Sequence, residues 1–165
     1  MHPLDELLER LPSVDFAVLQ HEFAKHGRDY IVLIENNITS DPGQYQITFT
    51  HCVRADLQTR VGDKIWPQSW GDEFIDYDRW TSANEPSGYV WGTNWSLAYP
   101  GFRAVRDSVE ATDWSRRFGK MMFEITLETD RFVLQLIFHS IRSHKISQRS
   151  DVVSKCIFPL KPPSA

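Results

Sequence analysis

Tyr45 to Val61 reads YQITFTHCVRADLQTRV, and its alternation decides the fold class. Tyr45, Ile47, Phe49, His51, Val53, Ala55, Leu57, Thr59 and Val61 fall on one side. Gln46, Thr48, Thr50, Cys52, Arg54, Asp56, Gln58 and Arg60 fall on the other. Period two with one apolar and one polar side is the pattern of a half-buried antiparallel strand. Drawn straight at about 3.3 Å per residue, it would run about 56 Å, longer than a domain of this size is wide. A bulge or a strong bend is therefore expected inside it.

The same reading extends in both directions. Upstream, Leu4, Leu7, Leu8 and Leu11 have helical spacing between Pro3 and Pro12. Val14 to Phe23 is apolar and β-branched, and Lys25-His26-Gly27 breaks it. Tyr30 to Ile34 (YIVLI) has the length and composition of a strand covered on both faces. Asp41-Pro42-Gly43 is a turn signal.

Downstream, Asp72 to Ala83 fits a short helix with Phe74, Tyr77 and Trp80 on one side. Asn84 to Gly88 reads as a loop, Tyr89 to Trp95 as a strand, and Tyr99-Pro100-Gly101 as a turn. Val109 to Phe118 fits a helix capped by Ser108 and stopped by Gly119, with Ala111, Trp114 and Phe118 inward. Met121, Phe123, Ile125 and Leu127 alternate with Met122, Glu124, Thr126 and Glu128, Thr129-Asp130 turns, and Phe132 to Ile141 returns. Hairpin connections dominate. The expected class is α+β: a mainly antiparallel sheet, strongly bent, with two or three short helices packed on it. Residues 1–142 are expected to form one domain, and 143–165 a basic, proline-containing tail.

Composition narrows the function. The 165 residues are 41% hydrophobic and 24% charged, ordinary globular values. No run reaches the ~18 apolar residues of a membrane span, and the first residues lack the pattern of a secretory leader. Net charge is −4, which disfavours nucleic acid as a partner. From Arg142 onward the chain carries +4, so the rest carries −8. Cys52 and Cys156 form no CxxC or zinc pattern and are expected as reduced thiols in a cytoplasmic protein. Phosphate loops, dinucleotide fingerprints, HExxH and GxSxG are absent, and no cofactor is expected.

Three groups of residues could carry chemistry. His21, His51 and His139 fall on expected strands and could converge on a metal, but no carboxylate or cysteine stands at close ligand spacing, so satisfied structural histidines are expected. Asp72, Glu73, Asp76 and Asp78 could supply paired carboxylates for glycoside hydrolysis, although acids at a helix start with this spacing also mark a solvated face.

The third group is aromatic. Five of the six tryptophans, Trp66, Trp70, Trp80, Trp91 and Trp95, lie in one stretch. From Asp63 to Glu85 six acids face only Lys64 and Arg79. Aromatic anchors with an acidic rim suit a protein-binding hot spot that draws in a basic partner. The alternative is a second small core made of the tryptophans under a long connection. A pocket lined by them and by polar groups such as His51, Arg54 or Asp56 would indicate a small-ligand binder or hydrolase. A large symmetric interface would indicate an oligomer-forming domain.

Four strings carry a family likeness: ITFTHCVRADLQTRV (Ile47 to Val61), WPQSWGDEFIDYDRW (Trp66 to Trp80), GYVWGTNWSLAYPG (Gly88 to Gly101) and EITLETDRFVLQLIF (Glu124 to Phe138). Together they resemble the bacterial YxiG-like domain across residues 14 to 142. The resemblance implies no catalytic residues. It implies an association with a locus encoding a contact-dependent toxin and its accessory proteins, and hence an immunity-type or toxin-linked binding role. The expected candidate patch is Trp66, Trp70, Asp72, Glu73, Asp76, Asp78, Trp80, Trp91 and Trp95, acting by occlusion of a basic, toxin-like partner.

Overall fold

A computed structural model describes residues 2–12, 16–37, 40–90 and 96–146. Eight antiparallel strands form one sheet in the order β4-β7-β6-β5-β1-β2-β3-β8. They are β1 (Ala17–Phe23), β2 (Tyr30–Asn36), β3 (Gly43–Thr50), β4 (Arg54–Thr59), β5 (Ser96–Val105), β6 (Phe123–Thr129), β7 (Phe132–Phe138) and β8 (Ser140–Ile146). Three short α-helices accompany them: α1 (Pro3–Leu8), α2 (Tyr77–Ser82) and α3 (Val109–Phe118). The class is α+β.

The long alternating stretch is interrupted. β3 ends at Thr50, His51 takes a positive φ of 51°, and β4 begins at Arg54. β3 pairs with β8 and β4 with β7, and β7 and β8 are separated only by His139. Hydrogen bonds carry the ladder across this junction: His139 N–H donates to Thr50 O (2.9 Å) and Val53 N–H to Ile137 O (2.9 Å). The two outer members of the strand order are thus continuations of β3 and β7, and the pairing forms a circuit. Its narrowest seam is β1 with β5, held by the pairs Ala17–Leu97 and Val18–Ser96.

The inner alternation of these strands supplies the core. Phe16, Val32, Ile34, Ile47, Phe49, Ile125, Leu127, Leu134, Leu136 and Phe138 are all within 1% of complete burial. Each large apolar side chain so buried contributes roughly 1.5–3 kcal/mol. Leu4 of α1 and Leu11 join the same cluster, so the N-terminal helix covers part of the core. On the other side of the sheet, α3 seats Ala111 and Trp114 on Val53, Met122 and Ile137. Its ends follow local rules: Ser108 Oγ accepts from Ala111 N–H (3.0 Å), and Gly119 closes the helix at φ 65°.

Several local expectations are corrected. Tyr99-Pro100-Gly101 is no turn between elements. It lies inside β5, where the register with β6 slips between Ala98 and Gly101, so a bulge takes up Tyr99 and Pro100 while Gly101 pairs with Glu128. Asp72 to Ala83 is not one helix: a 3-10 turn (Asp72–Phe74) gives way at Ile75 and Asp76, and α2 begins only after extended Asp76. Phe118 and Met121 stay 43% and 56% exposed, because the chain leaving Gly119 points Met122 under α3 instead. Tyr89 and Val90 are outside any strand, and the rest of that expected strand lies outside the described residues. β8 continues through residue 142 to Ile146, and residues 147–165 lie outside the described residues.

Among the described residues, no helix is long and apolar enough to cross a membrane. Cys52 is buried and free. Its thiol donates to Arg54 O (3.2 Å), and burial pushes its pKa up to about 12. Cys156 lies outside the described residues.

Candidate functional site

Between β4 and β5 the chain leaves the sheet for a long excursion. Both of its feet rest on one turn, the Thr129–Arg131 link between β6 and β7. Arg60 N–H donates to Arg131 O (2.8 Å) at one foot. At the other, Leu97 N–H donates to Asp130 Oδ1 and Asp130 N–H donates to Leu97 O, both at 2.9 Å. Thr129, completely buried, braces that turn by accepting at Oγ1 from the Arg131 and Phe132 amides (3.1 and 3.0 Å).

The excursion has a small centre of its own. Phe74 is 4% exposed. Tyr89 N–H donates to Ser69 Oγ (2.6 Å), which brings the two arms together across twenty residues of chain. Trp80 is half-buried, its Nε1–H donating to Pro86 O (2.7 Å), and Tyr77 meets its ring edge-on at 6.3 Å. Gly88 fits where a side chain would not: a Cβ there would stand 2.4 Å from the Phe74 ring and 2.6 Å from the carbonyl of Gln68. Gly88→Ala is therefore expected to loosen this local unit by about 1–3 kcal/mol. Hydrogen exchange measures it: faster exchange at Tyr89 with unchanged protection in β6 and β7 is expected. Unchanged exchange at Tyr89 would refute the packing described.

The outer side of this unit is apolar and acidic. Trp70 is 91% exposed, and Trp66, Ile75 and Tyr77 are 42%, 55% and 52% exposed. Asp72, Glu73 and Asp78 line one depression of about 480 Å³ together with Arg79, Ser82 and Ala83. Asp76 stands apart in role. Its Oδ1 accepts from Arg79 N–H (2.8 Å) and caps α2, and its other oxygen lies 3.7 Å from the Arg79 guanidinium. Trp91 and Trp95 lie outside the described residues. Ile75 and Tyr77 were missed as surface residues. Helical spacing put Tyr77 on one side with Phe74 and Trp80, and the break at Asp76 turns it outward; nothing in the spacing singled out Ile75.

The other candidate groups are placed differently. The His51 and His139 rings meet at 6.0 Å and 76°, but His139 Nδ1 donates to Met121 O (2.8 Å) and the Phe118 ring flanks His51 at 6.1 Å. His21 shares a 2.7 Å hydrogen bond with the Tyr30 hydroxyl instead. Burial lowers the His21 pKa and raises that of Tyr30 to about 12, which favours the two neutral groups. No three His, Cys, Asp or Glu side chains among the described residues could hold a metal ion. Arg54 is bound by Asp56 (2.7 Å) and by Glu110 of α3, so its charge is taken up by two carboxylates.

A profile of the YxiG-like protein family matches residues 1–154, nearly the whole chain. The chain belongs to the YxiG-like family. No curated protein matches this YxiG-like chain. Among solved structures, an uncharacterized protein from Neisseria gonorrhoeae is similar at 10% identity, covering 81% of this chain and 93% of its own, with a TM-score of 0.36.

Proposed function

We propose that this YxiG-like protein binds a basic protein partner through the acidic and aromatic surface of the excursion between β4 and β5. The observation that carries it is Trp70. A tryptophan 91% exposed forgoes the burial that usually holds this side chain inside a fold, and Trp66, Ile75 and Tyr77 of the same stretch are exposed too. The rim is one-sided in charge: Asp63, Asp72, Glu73, Asp76, Asp78 and Glu85 against Lys64 and Arg79. Aromatic anchors would dock and carry the affinity, while the acids would speed encounter with a cationic surface and make it salt-sensitive. A toxin held by an immunity-like cytoplasmic protein fits this chemistry, with occlusion as the mechanism.

The test uses tagged wild-type protein, Trp70→Ala and the double variant Asp72→Lys/Asp78→Lys in affinity capture. Asp76 is left intact because it caps α2. One stoichiometric basic protein is expected with the wild type, retained about tenfold less or weaker still by both variants. Circular dichroism is expected to be unchanged, since Trp70 and Asp78 are exposed. Equal retention by all three proteins would overturn the assignment. The alternative is a small-ligand binder or small hydrolase at the depression lined by Asp72, Glu73 and Asp78, whose volume lies within the range of ligand sites. A ligand whose thermal stabilisation is lost in the Asp72→Lys/Asp78→Lys variant, with no protein captured, would favour it.

A further inference from the structure

The core face of the sheet is not covered to its end. Where α1 gives out, the turn through Arg10, Leu11 and Pro12 lines an open cavity of about 220 Å³ with Asn36 of β2, Tyr45 of β3 and Ser143 of β8, and Arg10 and Ser143 stand at its solvent side. The strand register explains the lining. Ser143 pairs with Ile47 and Tyr45 with Ile34, so the row of side chains that fills the core at Ile47 and Ile34 continues outward as a hydroxyl and a phenol.

The cavity is positive and two-sided. Arg10 has no ion-pair partner among the described residues. The nearby acid, Asp41, is engaged: Lys145 binds it, and the Tyr45 hydroxyl donates to its carboxylate (2.9 Å) and its carbonyl (2.6 Å). That leaves the Arg10 guanidinium and the Ser143 hydroxyl as the polar groups open to a ligand, while Asn36, only 4% exposed and itself engaged, is part of the wall. Leu11, Pro12 and the Tyr45 ring supply the apolar walls. A guanidinium donates to a carboxylate in a planar, two-pronged contact. At ~30 Å³ per water-sized group, the space takes roughly seven to ten non-hydrogen atoms.

We propose that this cavity binds a small organic carboxylate, with Arg10 and Ser143 on its anionic end and Leu11, Pro12 and Tyr45 around its apolar body. The site is separate from the acidic surface of the excursion and stands without it.

Benzoate is the probe, titrated at constant ionic strength into the full-length protein and followed by amide NMR shifts. Saturable binding is expected, with the largest shifts at Arg10, Leu11 and Ser143. Arg10→Gln removes the charge from an exposed side chain that holds no ion-pair partner among the described residues, so the fold is retained and binding weakens by about tenfold or more. Ser143→Val is expected to weaken it less. Arg142→Gln is the control: this arginine pairs with Thr48, on the opposite side of β8 from Ser143, and its removal should leave benzoate binding unchanged. The proposal fails if benzoate does not saturate in the millimolar range. It fails as well if Arg10→Gln and Arg142→Gln weaken binding equally, or if inorganic phosphate binds as tightly as benzoate.

Discussion

Phe138→Ala is expected to lower the free energy of unfolding by about 3–5 kcal/mol, the range for deleting a buried phenylalanine. Phe138 is fully buried at the end of β7. Its ring meets Phe49 of β3 edge-on at 4.9 Å and Phe123 of β6 at 6.3 Å. It also immediately precedes His139, where the chain passes into β8. One side chain thus joins strands from both sides of the junction. A cavity there has poor means of collapse, because the strands that line it are pinned by backbone ladders. Total stabilities of about 5–15 kcal/mol are usual, so the variant should be marginal or partly unfolded. Urea denaturation measures the loss. Phe118→Ala, removing a ring that is 43% exposed, should cost about 1 kcal/mol or less. Losses of similar size in the two variants would contradict this account of the core.

Asp29→Ala is expected to cost about 3 kcal/mol, and its effect should depend on acidity. Asp29 is 5% exposed and ties together two distant parts of the chain. Its carboxylate accepts from the Arg28 guanidinium (2.9 and 3.0 Å) and from His51 N–H (3.0 Å). The next amide, Cys52 N–H, donates to Arg28 O (2.8 Å). Residues 28 and 29 thereby hold the positive-φ residue at which β3 breaks. Removing the carboxylate strands the His51 amide and leaves that conformation unsupported.

The Arg28 hydrogen bond, with help from His51 N–H and against the opposing effect of burial, holds the Asp29 pKa at about 2. That is below the unfolded value of about 3.9. The ionised group's contribution is therefore fully present above about pH 4 and is lost as pH falls through about 2. Arg28 is half-exposed, so solvent screens the pair and a loss of about 1–2 kcal/mol is expected. Asp29→Asn keeps an acceptor for His51 and should lack that acid limb. Parallel stability curves for wild type and Asp29→Asn between pH 4 and pH 2 would sink the assignment.

What could be read from the chain alone was whatever neighbouring residues settle. The alternation from Tyr45, the cap at Ser108, the stop at Gly119 and the hairpin around Thr129-Asp130 are local and legible. The break at His51 is not, because the alternation runs through it undisturbed. Its cause is Asp29, twenty-two residues earlier. Tyr99-Pro100-Gly101 has the composition of a turn, and only the register of β6 makes it part of a strand. The candidate site divides in the same way. Its acidic and aromatic character was plain in the sequence. Which aromatic is buried was not: Phe74 goes inside because Gly88 makes room and Ser69 meets Tyr89, while Trp70, four residues earlier, stays out.

The two feet of the excursion have an engineering consequence. β4 and β5 are separated in the sheet by β7 and β6, so at about 4.8 Å per step the feet stand ~14 Å apart. Both positions are dictated by the Thr129–Arg131 turn, and the segment between them packs around its own Phe74. It is in this sense a cartridge seated in a fixed socket. A peptide of five or six residues, at about 3.3 Å each, would bridge the same gap. Exchange of this segment between family members is then expected to leave the strands beneath undisturbed and, under the function proposed above, to carry partner preference with it.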